Sequence, residues 1–247
     1  MNKVTRILPL FTLLLMVVPV TAAGDFSSIL NPTPFGNTTV TWRVIDAPEV
    51  PFSFYWAGTE SWLAEPDSTM SFTILDVGDD ISGEMVLGNA TIAGNDTDIA
   101  KDLTLGVWGI TEFHPGLFIE ISNSSIIELN QTAYAAAERI FGNYLNGTMD
   151  SSYEEITILA MPYDCITFTY VQDDSGFGEP QRTQLAYDLH TGILVRANTT
   201  YTFTTPYSFV IELTDVITPL AIGPMILVGV GFAAIAIILV LRNRMKK

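Results

Sequence analysis

Residues 185–196 are Leu-Ala-Tyr-Asp-Leu-His-Thr-Gly-Ile-Leu-Val-Arg, and this stretch predicts a β-hairpin. Asp188 is placed to accept backbone hydrogen bonds across the turn, and Gly192 is free to adopt a positive φ. In the strand that leaves the turn, apolar residues alternate with Arg196 and Asn198. Such alternation puts the apolar side chains on one face of a sheet and the polar ones on the other.

The same pattern extends through most of the chain. Short runs of Val, Ile, Thr and aromatic residues are separated by Gly, Asp and Asn, which is typical of antiparallel meanders. These runs predict strands at 39–45, 52–57, 69–77, 83–88, 103–109, 116–121, 155–160, 165–172, 182–188, 192–204 and 207–217.

One stretch departs from this rhythm and predicts a helix. Ser125 and Glu128 match a capping box, and apolar residues follow at helical spacing, which predicts one helix within 126–144. A helix with one apolar face must bury that face on a sheet. We therefore expect a mainly β fold, a curved antiparallel sheet or half-barrel packed on one amphipathic helix.

Both ends of the chain carry apolar runs that predict a membrane topology. Residues 7–20 follow two basic residues and precede small ones, which is typical of a cleaved signal peptide; the alternative is an uncleaved signal anchor. Residues 219–241 carry no charge, are long enough to cross a bilayer, and precede four basic residues that mark the cytoplasmic side. The predicted organisation is a signal peptide (1–23), a loose lead-in (24–35), a single extracellular β-rich domain (36–217), a transmembrane helix (218–241) and a cytoplasmic basic tail (242–247).

Charge and sequons also indicate an extracellular domain. All 27 acidic residues lie between Asp25 and Asp215 with only five basic ones, a net charge of −22 that disfavours nucleic acid as a partner. Asn-x-Ser/Thr sequons, which predict N-glycosylation on solvent-facing loops and strands, occur at Asn37, Asn89, Asn95, Asn123, Asn130, Asn146 and Asn198.

The sequence offers little catalytic chemistry. Cys165 lies in an apolar strand and is expected to be buried and inert. His114 and His190 are 76 positions apart in predicted loops, and no Gly-x-Ser-x-Gly is present. We therefore predict no catalytic residues and a protein that is not an enzyme, without a cofactor.

Two further groups of residues are candidate binding sites. One is a predicted turn rich in carboxylates, formed by Asp76, Asp79, Asp80 and Glu84. These side chains either bind calcium or are solvated acids of an ordinary turn. The other is a group of aromatic residues between 42 and 62, together with two apolar residues of the predicted helix. This group forms a candidate apolar-ligand face or, alternatively, part of the core; its members are Trp42, Phe52, Phe54, Trp56, Trp62, Ile140 and Phe141.

Two resemblances extend this interpretation. The sheet-and-helix arrangement resembles the half-barrel lipoprotein-carrier fold of the LolA/LppX type, which implies a lipid ligand. The hairpin motif, formed by Tyr187, Asp188, Thr191, Gly192 and Leu194, together with the membrane topology, resembles uncharacterised type I surface proteins of archaea. That family implies no activity for individual residues.

The sequence thus predicts a single-pass type I glycoprotein of the cell membrane whose outer domain binds an apolar ligand or lipid. The alternative is a structural or adhesion component of the cell envelope that has no small-molecule pocket. The membrane, and either a lipid or an envelope protein, are the expected partners. Gly229 and Ala233 have the spacing of a helix dimer motif, but no other feature supports a homodimer.

Overall fold

The computed structural model describes residues 25–34, 36–58, 60–106, 113–137, 146–174, 176, 178–202 and 204–219. Within these ranges the chain forms a short 3-10 turn at Ser28–Leu30, eleven strands and two helices. The strands are β1 Thr39–Asp46, β2 Phe52–Ser53, β3 Ser61–Trp62, β4 Thr69–Val77, β5 Ile81–Leu87, β6 Ala90–Asn95, β7 Gly147–Ile158, β8 Met161–Gln172, β9 Arg182–Asp188, β10 Leu194–Thr202 and β11 Pro206–Ile217. The helices are α1 Asp96–Asp102 and α2 Asn123–Ala137.

Nine of the described strands form one large antiparallel sheet in the order β6-β5-β4-β1-β11-β10-β9-β8-β7. The other two, β2 and β3, pair only with each other. The first and last strands lie side by side, with Thr39 opposite Ile217. The prediction of a mainly β protein with an antiparallel sheet is confirmed.

The large sheet has one polar and one apolar face. On the polar face, the hydroxyl groups of Thr39 and Thr73 lie 3.0 Å apart across neighbouring strands. On the same face, Arg196 Nη2 donates to Glu212 Oε1 at 2.6 Å. On the opposite face, β1, β4 and β11 bury every second side chain, as the period of a strand with one solvated face requires.

The apolar face is covered by α1, α2, the segment 113–119 and the N-terminal turn. Leu30, Ile99, Phe118 and Ala133 come from these four elements, and all are buried in one continuous core. Residues 25–34, expected to be a loose lead-in, therefore pack on the domain. The Ile121 N–H also donates to the Asp25 carbonyl at 3.0 Å, which holds the start of this segment.

The hairpin predicted at 185–196 forms between β9 and β10. The Asp188 carboxylate accepts hydrogen bonds from the Thr191 N–H at 3.0 Å and from its hydroxyl at 2.6 Å. Gly192 has a φ of 75° and donates its N–H to the Asp188 carbonyl at 2.7 Å. A bulge between Leu194 and Arg196 breaks the simple alternation, because it turns both Leu194 and Val195 into the core.

The same hairpin holds the covering segment in place. The Leu194 N–H donates to the Leu117 carbonyl at 3.0 Å, and the Ile119 N–H donates to the carbonyl of the turn glycine at 2.9 Å. The Tyr187 hydroxyl donates to the Gly116 carbonyl at 2.9 Å. The residues of the hairpin motif therefore serve the packing of this domain.

Three strand predictions differ most from the structure. The segment 116–121 makes only an isolated bridge, between Phe118 and Ile193, because beyond Ile119 its backbone bonds to Asp25 instead of to the sheet. Residues 103–106 close the end of α1, with Thr104 at a φ of 56°, and 107–109 lie outside the described residues. The predicted strand 52–57 ends at Ser53, where the chain enters a turn.

The helix prediction needs two corrections. Helix α2 begins at Asn123, one turn earlier than the capping box implied, because Ser122 Oγ accepts the Ser125 N–H at 3.1 Å. Helix α1 was not predicted at all. Asn95 Oδ1 caps it by accepting the Asp98 N–H at 2.6 Å, and two aspartates occupy its first turn. This Asn-Asp-Thr-Asp start is a recognisable N-terminal helix signal.

None of the helices in the described ranges has the length and apolarity needed to cross a bilayer. The apolar run 219–241 predicts the spanning helix, and all of this run after Pro219 lies outside the described ranges. The predicted signal peptide and basic tail lie outside them as well.

Candidate functional site

Most of the aromatic residues predicted to form an apolar-ligand face belong to the core. Trp42, Phe52, Phe54 and Trp62 are buried. The Trp42 indole N–H donates to the Leu194 carbonyl at 2.6 Å, across the apolar face of the sheet. Ile140 and Phe141 lie outside the described residues.

The hairpin of β2 and β3 is fixed to the sheet by aromatic packing. The Phe52 ring stacks on Trp62 with centroids 5.5 Å apart and meets Phe209 edge-on at 4.8 Å. It also lies 6.2 Å from the Tyr207 ring. Tyr207 and Phe209 belong to the beginning of β11, so the hairpin is attached at that end of the strand.

Trp56 and the preceding Tyr55 behave differently from the rest of this aromatic group. Tyr55 is 86% exposed and Trp56 66% exposed, at the turn that follows β2. We call this pair the aromatic tip. Two exposed aromatic side chains side by side are unusual on a solvated surface and are typical of interaction sites.

The backbone of the aromatic tip is hydrogen-bonded to the end of α1. The Asp102 carboxylate accepts the N–H groups of Trp56, at 3.0 Å, and Ala57, at 3.1 Å. Burial raises the pKa of Asp102, and these hydrogen bonds offset only part of that rise. Lys101 Nζ lies 5.2 Å from the centroid of the Trp56 ring, a cation–π contact. The end of α1 thus presents the tip.

A second feature is a cleft of about 320 Å³ lined largely by acidic and apolar side chains. Its acidic lining residues are Asp79, Asp80, Asp96, Glu120 and Glu128. Of the predicted calcium ligands it includes only two, since Asp76 and Glu84 are exposed elsewhere. In the part of the chain that the structure describes, no three acidic, histidine or cysteine side chains converge in a metal-binding arrangement.

Asp96 is the one buried carboxylate among the residues that line this cleft, and no pattern in the sequence predicts its burial. Its Oδ2 accepts the N–H groups of Leu117 at 2.9 Å and Phe118 at 3.1 Å. Burial raises the pKa of Asp96 to about 7, with a smaller contribution from the nearby Asp80 carboxylate, while the backbone N–H groups act in the other direction. Asp96 therefore fixes the covering segment to the start of α1.

The remaining reactive side chains are dispersed. Cys165 is buried, and burial raises the pKa of its thiol to about 12, which favours the unreactive protonated form. His114 Nδ1 lies 3.0 Å from the Leu105 carbonyl, and burial lowers its pKa. His190 is exposed and lies 3.4 Å from Asp164.

The seven sequon asparagines all fall within the described residues. Asn89 and Asn123 are exposed, and the other five are half-buried. Asn198 lies beside Arg196 on the polar face of the sheet, which is where the alternation predicted it. Asn95 is engaged as the cap of α1 and also donates through Nδ2 to Asp98 at 2.9 Å.

No family model matches this chain, and no curated protein or solved structure matches it either.

Proposed function

We propose that this protein is a non-enzymatic, single-pass type I glycoprotein of the cell surface, whose outer domain recognises an envelope partner through the aromatic tip. The observation that carries the proposal is the tip itself, an exposed Tyr55–Trp56 pair that is fixed by Asp102. Exposure is unfavourable for such side chains in a free monomer, and rigid support lowers the entropy lost on binding.

The position of the tip suits recognition away from the membrane. Asp102, which holds the aromatic tip, lies near the start of β11. The carbonyl of the next residue, Leu103, accepts a hydrogen bond from the Tyr207 hydroxyl at 2.8 Å. The chain leaves the sheet at the other end of β11, after Ile217, and the uncharged run 220–241 follows almost at once. With that run in the bilayer, the tip is presented on the membrane-distal part of the domain.

The shape of the sheet supports a half-barrel with a filled interior. Strands β7 and β11 are separated by three strands, yet some of their Cα atoms come within 8 Å of each other. In a flat sheet, four strand spacings would place them ~19 Å apart. The concave side that this curvature creates is occupied by the core side chains of both helices and of the segment 113–119.

The curvature favours a second candidate, the binding of an apolar ligand or lipid on the concave side. For this function a ligand must displace packed side chains such as Phe52 and Trp62. Native mass spectrometry of the full chain, released from detergent in the gas phase, tests this candidate function. A discrete lipid-sized adduct that is retained after activation supports lipid binding. The bare polypeptide mass with its glycans supports the filled core.

The topology is tested on intact cells that produce the full chain. A membrane-impermeant glycosidase is expected to lower the apparent mass of the protein, and an impermeant protease is expected to degrade the domain. Resistance to both reagents in intact but not in lysed cells would exclude the proposed orientation.

Recognition is tested with the variant Tyr55→Ser/Trp56→Ser. Cells that carry this full-length variant are expected to lose adhesion to envelope fragments, because the exposed aromatic surface is the proposed contact. Tyr153→Ser removes another exposed aromatic side chain from β7 and is the matched control. Equal adhesion of wild type and both variants would contradict the role of the tip.

A further inference from the structure

The turn between β7 and β8 carries an unexpected apolar surface. Residues 159–162 are Leu-Ala-Met-Pro, and all four are exposed. Leu159 is 62% exposed and Met161 55% exposed. We call residues 159–162 the apolar tip. Consecutive apolar residues that face water promote aggregation. Such a surface therefore indicates a site that is normally covered by a partner or a membrane.

The backbone of this turn makes its sequence more unusual. Leu159 has a φ of 49° and Ala160 a φ of 66°. Two-residue hairpin turns with positive φ at both positions strongly favour Asn-Gly or Asp-Gly. The chain therefore places apolar side chains where both solubility and backbone preference favour polar residues or glycine, at the cost of local strain.

The apolar tip lies at the same end of the sheet as the exit of the chain. A row of paired residues crosses five strands and is formed by Glu212, Arg196, Ala186, Thr167 and Ser152. From this row, β11 continues for five residues to its end at Ile217, and β7 continues for six residues to its end at Ile158. At ~3.3 Å per residue, these two ends lie ~17 Å and ~20 Å along their strands, on the same side of the row.

The residues behind the apolar tip follow the polarity profile of a membrane surface. The half-buried Tyr163 comes directly after residues 159–162, and the exposed Asp164 follows, paired in register with Glu155. Tyrosine is enriched at the level of lipid headgroups, whereas carboxylates remain in water. Asp164 is set back from Met161 by three residues, ~10 Å along the strand, which matches the depth that an interfacial segment reaches.

We infer that the apolar tip inserts into the outer leaflet of the bilayer that holds residues 220–241, so that the domain contacts the membrane at two points. This inference rests on the proposed type I topology. The two contacts restrict rotation of the domain about its short connection and keep the aromatic tip turned outward. The carboxylates of Asp79 and Asp80 line the cleft near the β4–β5 turn at this end, so neutral headgroups suit the surface better than anionic ones.

The test uses the full chain reconstituted in phosphatidylcholine vesicles. Leu159→Cys and, separately, Met161→Cys are labelled with an environment-sensitive nitrobenzoxadiazole fluorophore, and nitroxide-labelled lipids serve as quenchers. The native Cys165 is buried and its thiol pKa is raised to about 12, so it does not compete for the label. Two controls are Tyr55→Cys on the aromatic tip and His190→Cys, an exposed position in the β9–β10 turn at the same end.

The label at residue 159 or 161 is expected to shift to shorter emission wavelength and to lose most of its emission to the nitroxide lipids. The label at residue 55 is expected to remain unshifted and unquenched, and that at residue 190 to be quenched weakly. Adding anionic phosphatidylglycerol is expected to reduce the quenching at 159, because the surrounding domain is acidic.

Three results would overturn the inference in distinguishable ways. A chain that does not float with the vesicles contradicts the membrane topology itself, and the inference with it. A chain that floats but carries an unquenched label in water at 159 and 161 contradicts the apolar tip alone. A label that is shifted but not quenched by lipid indicates burial against a second copy of the chain.

Discussion

At the scale of single residues, Gly192 shows how one position connects a turn to the core. Its φ of 75° is unfavourable for other residues, and a Cβ there would overlap the Ile119 carbonyl oxygen. We expect Gly192→Ala to lower the free energy of unfolding by about 2 kcal/mol or more, because strain and overlap add. Chemical unfolding of the detergent-solubilised full chain, followed by tryptophan fluorescence, measures the change.

Gly88 provides the matched control for this substitution. It has a φ of 59°, but a Cβ added there would meet no heavy atom within 4 Å, so Gly88→Ala tests the backbone effect alone. The expected loss is about 1 kcal/mol. Equal losses at the two positions would show that the overlap with Ile119 is relieved at no cost.

Asp96 gives a second residue-scale prediction, in pH. Its folded-state pKa of about 7 exceeds the ordinary value of 3.8, so the folded chain binds a proton that the unfolded chain has lost. The contribution of Asp96 to stability is therefore greatest at low pH, falls as the pH rises from about 4, and is lost above about 7.

The variant Asp96→Asn removes this titration and keeps an acceptor oxygen for the covering segment. The difference in free energy of unfolding, wild type minus variant, is expected to fall between about pH 4 and pH 7 and to stay level above that. The other carboxylates titrate in both proteins and cancel in this difference. Parallel pH profiles for the two proteins would contradict a raised pKa at Asp96.

At the scale of elements, the turn between β7 and β8 has a backbone conformation that does not favour its own residues. Leu159 and Ala160 both have positive φ. The double variant Leu159→Asn/Ala160→Gly, with residues that favour this turn, should raise the free energy of unfolding by about 1–2 kcal/mol. Thermal unfolding in detergent measures the gain, and Ala160→Gly alone should give part of it. A lower unfolding temperature would show that the apolar side chains stabilise the domain itself.

Local sequence patterns predicted those elements that depend on neighbouring residues. Strands β4 and β9 begin and end where the sequence placed them, and the 185–196 hairpin is confirmed. Helix α1 was missed despite its local capping signal, whereas other failures arise from distant contacts. Trp56 left the predicted strand 52–57 because Asp102, 46 residues away, holds its N–H in a turn. Periodicity carries no information about such a partner.

The candidate sites show the same division. The sequence grouped Phe52, Phe54 and Trp56 in one candidate apolar-ligand face, but Phe52 and Phe54 are buried while Trp56 is exposed. The apolar tip could not be predicted for another reason. Leu159, Ala160 and Met161 are apolar like many strand residues, and only the register of β7 against β8 reveals that Leu159 and Ala160 form a turn. The segment 159–162 was therefore predicted as the end of one strand and a gap.

At the scale of the whole molecule, we expect the net negative charge of the domain to lower its stability. The segment 25–218 carries 27 acidic and five basic residues, so the folded domain repels itself. Raising NaCl from about 0.05 to 1 M, which shortens the screening length several-fold, is expected to raise the unfolding temperature and then level off. Sucrose at matched water activity is the control for nonspecific exclusion. An unfolding temperature that is independent of salt would show that the carboxylates are locally neutralised.

The central place of β11 also sets when the protein can complete its fold during synthesis. Strands β1 and β10 pair with β11 and not with each other, so the two halves of the sheet remain separate until residue 217 has emerged. Until then each half exposes an unpaired edge, and closing the contact between Thr39 and Ile217 is a slow, long-range step. The uncharged run 220–241 is the next stretch to leave the ribosome. In the proposed topology, folding of the domain and membrane integration of this run therefore overlap in time, and a delay in folding leaves the unpaired strand edges of both halves exposed.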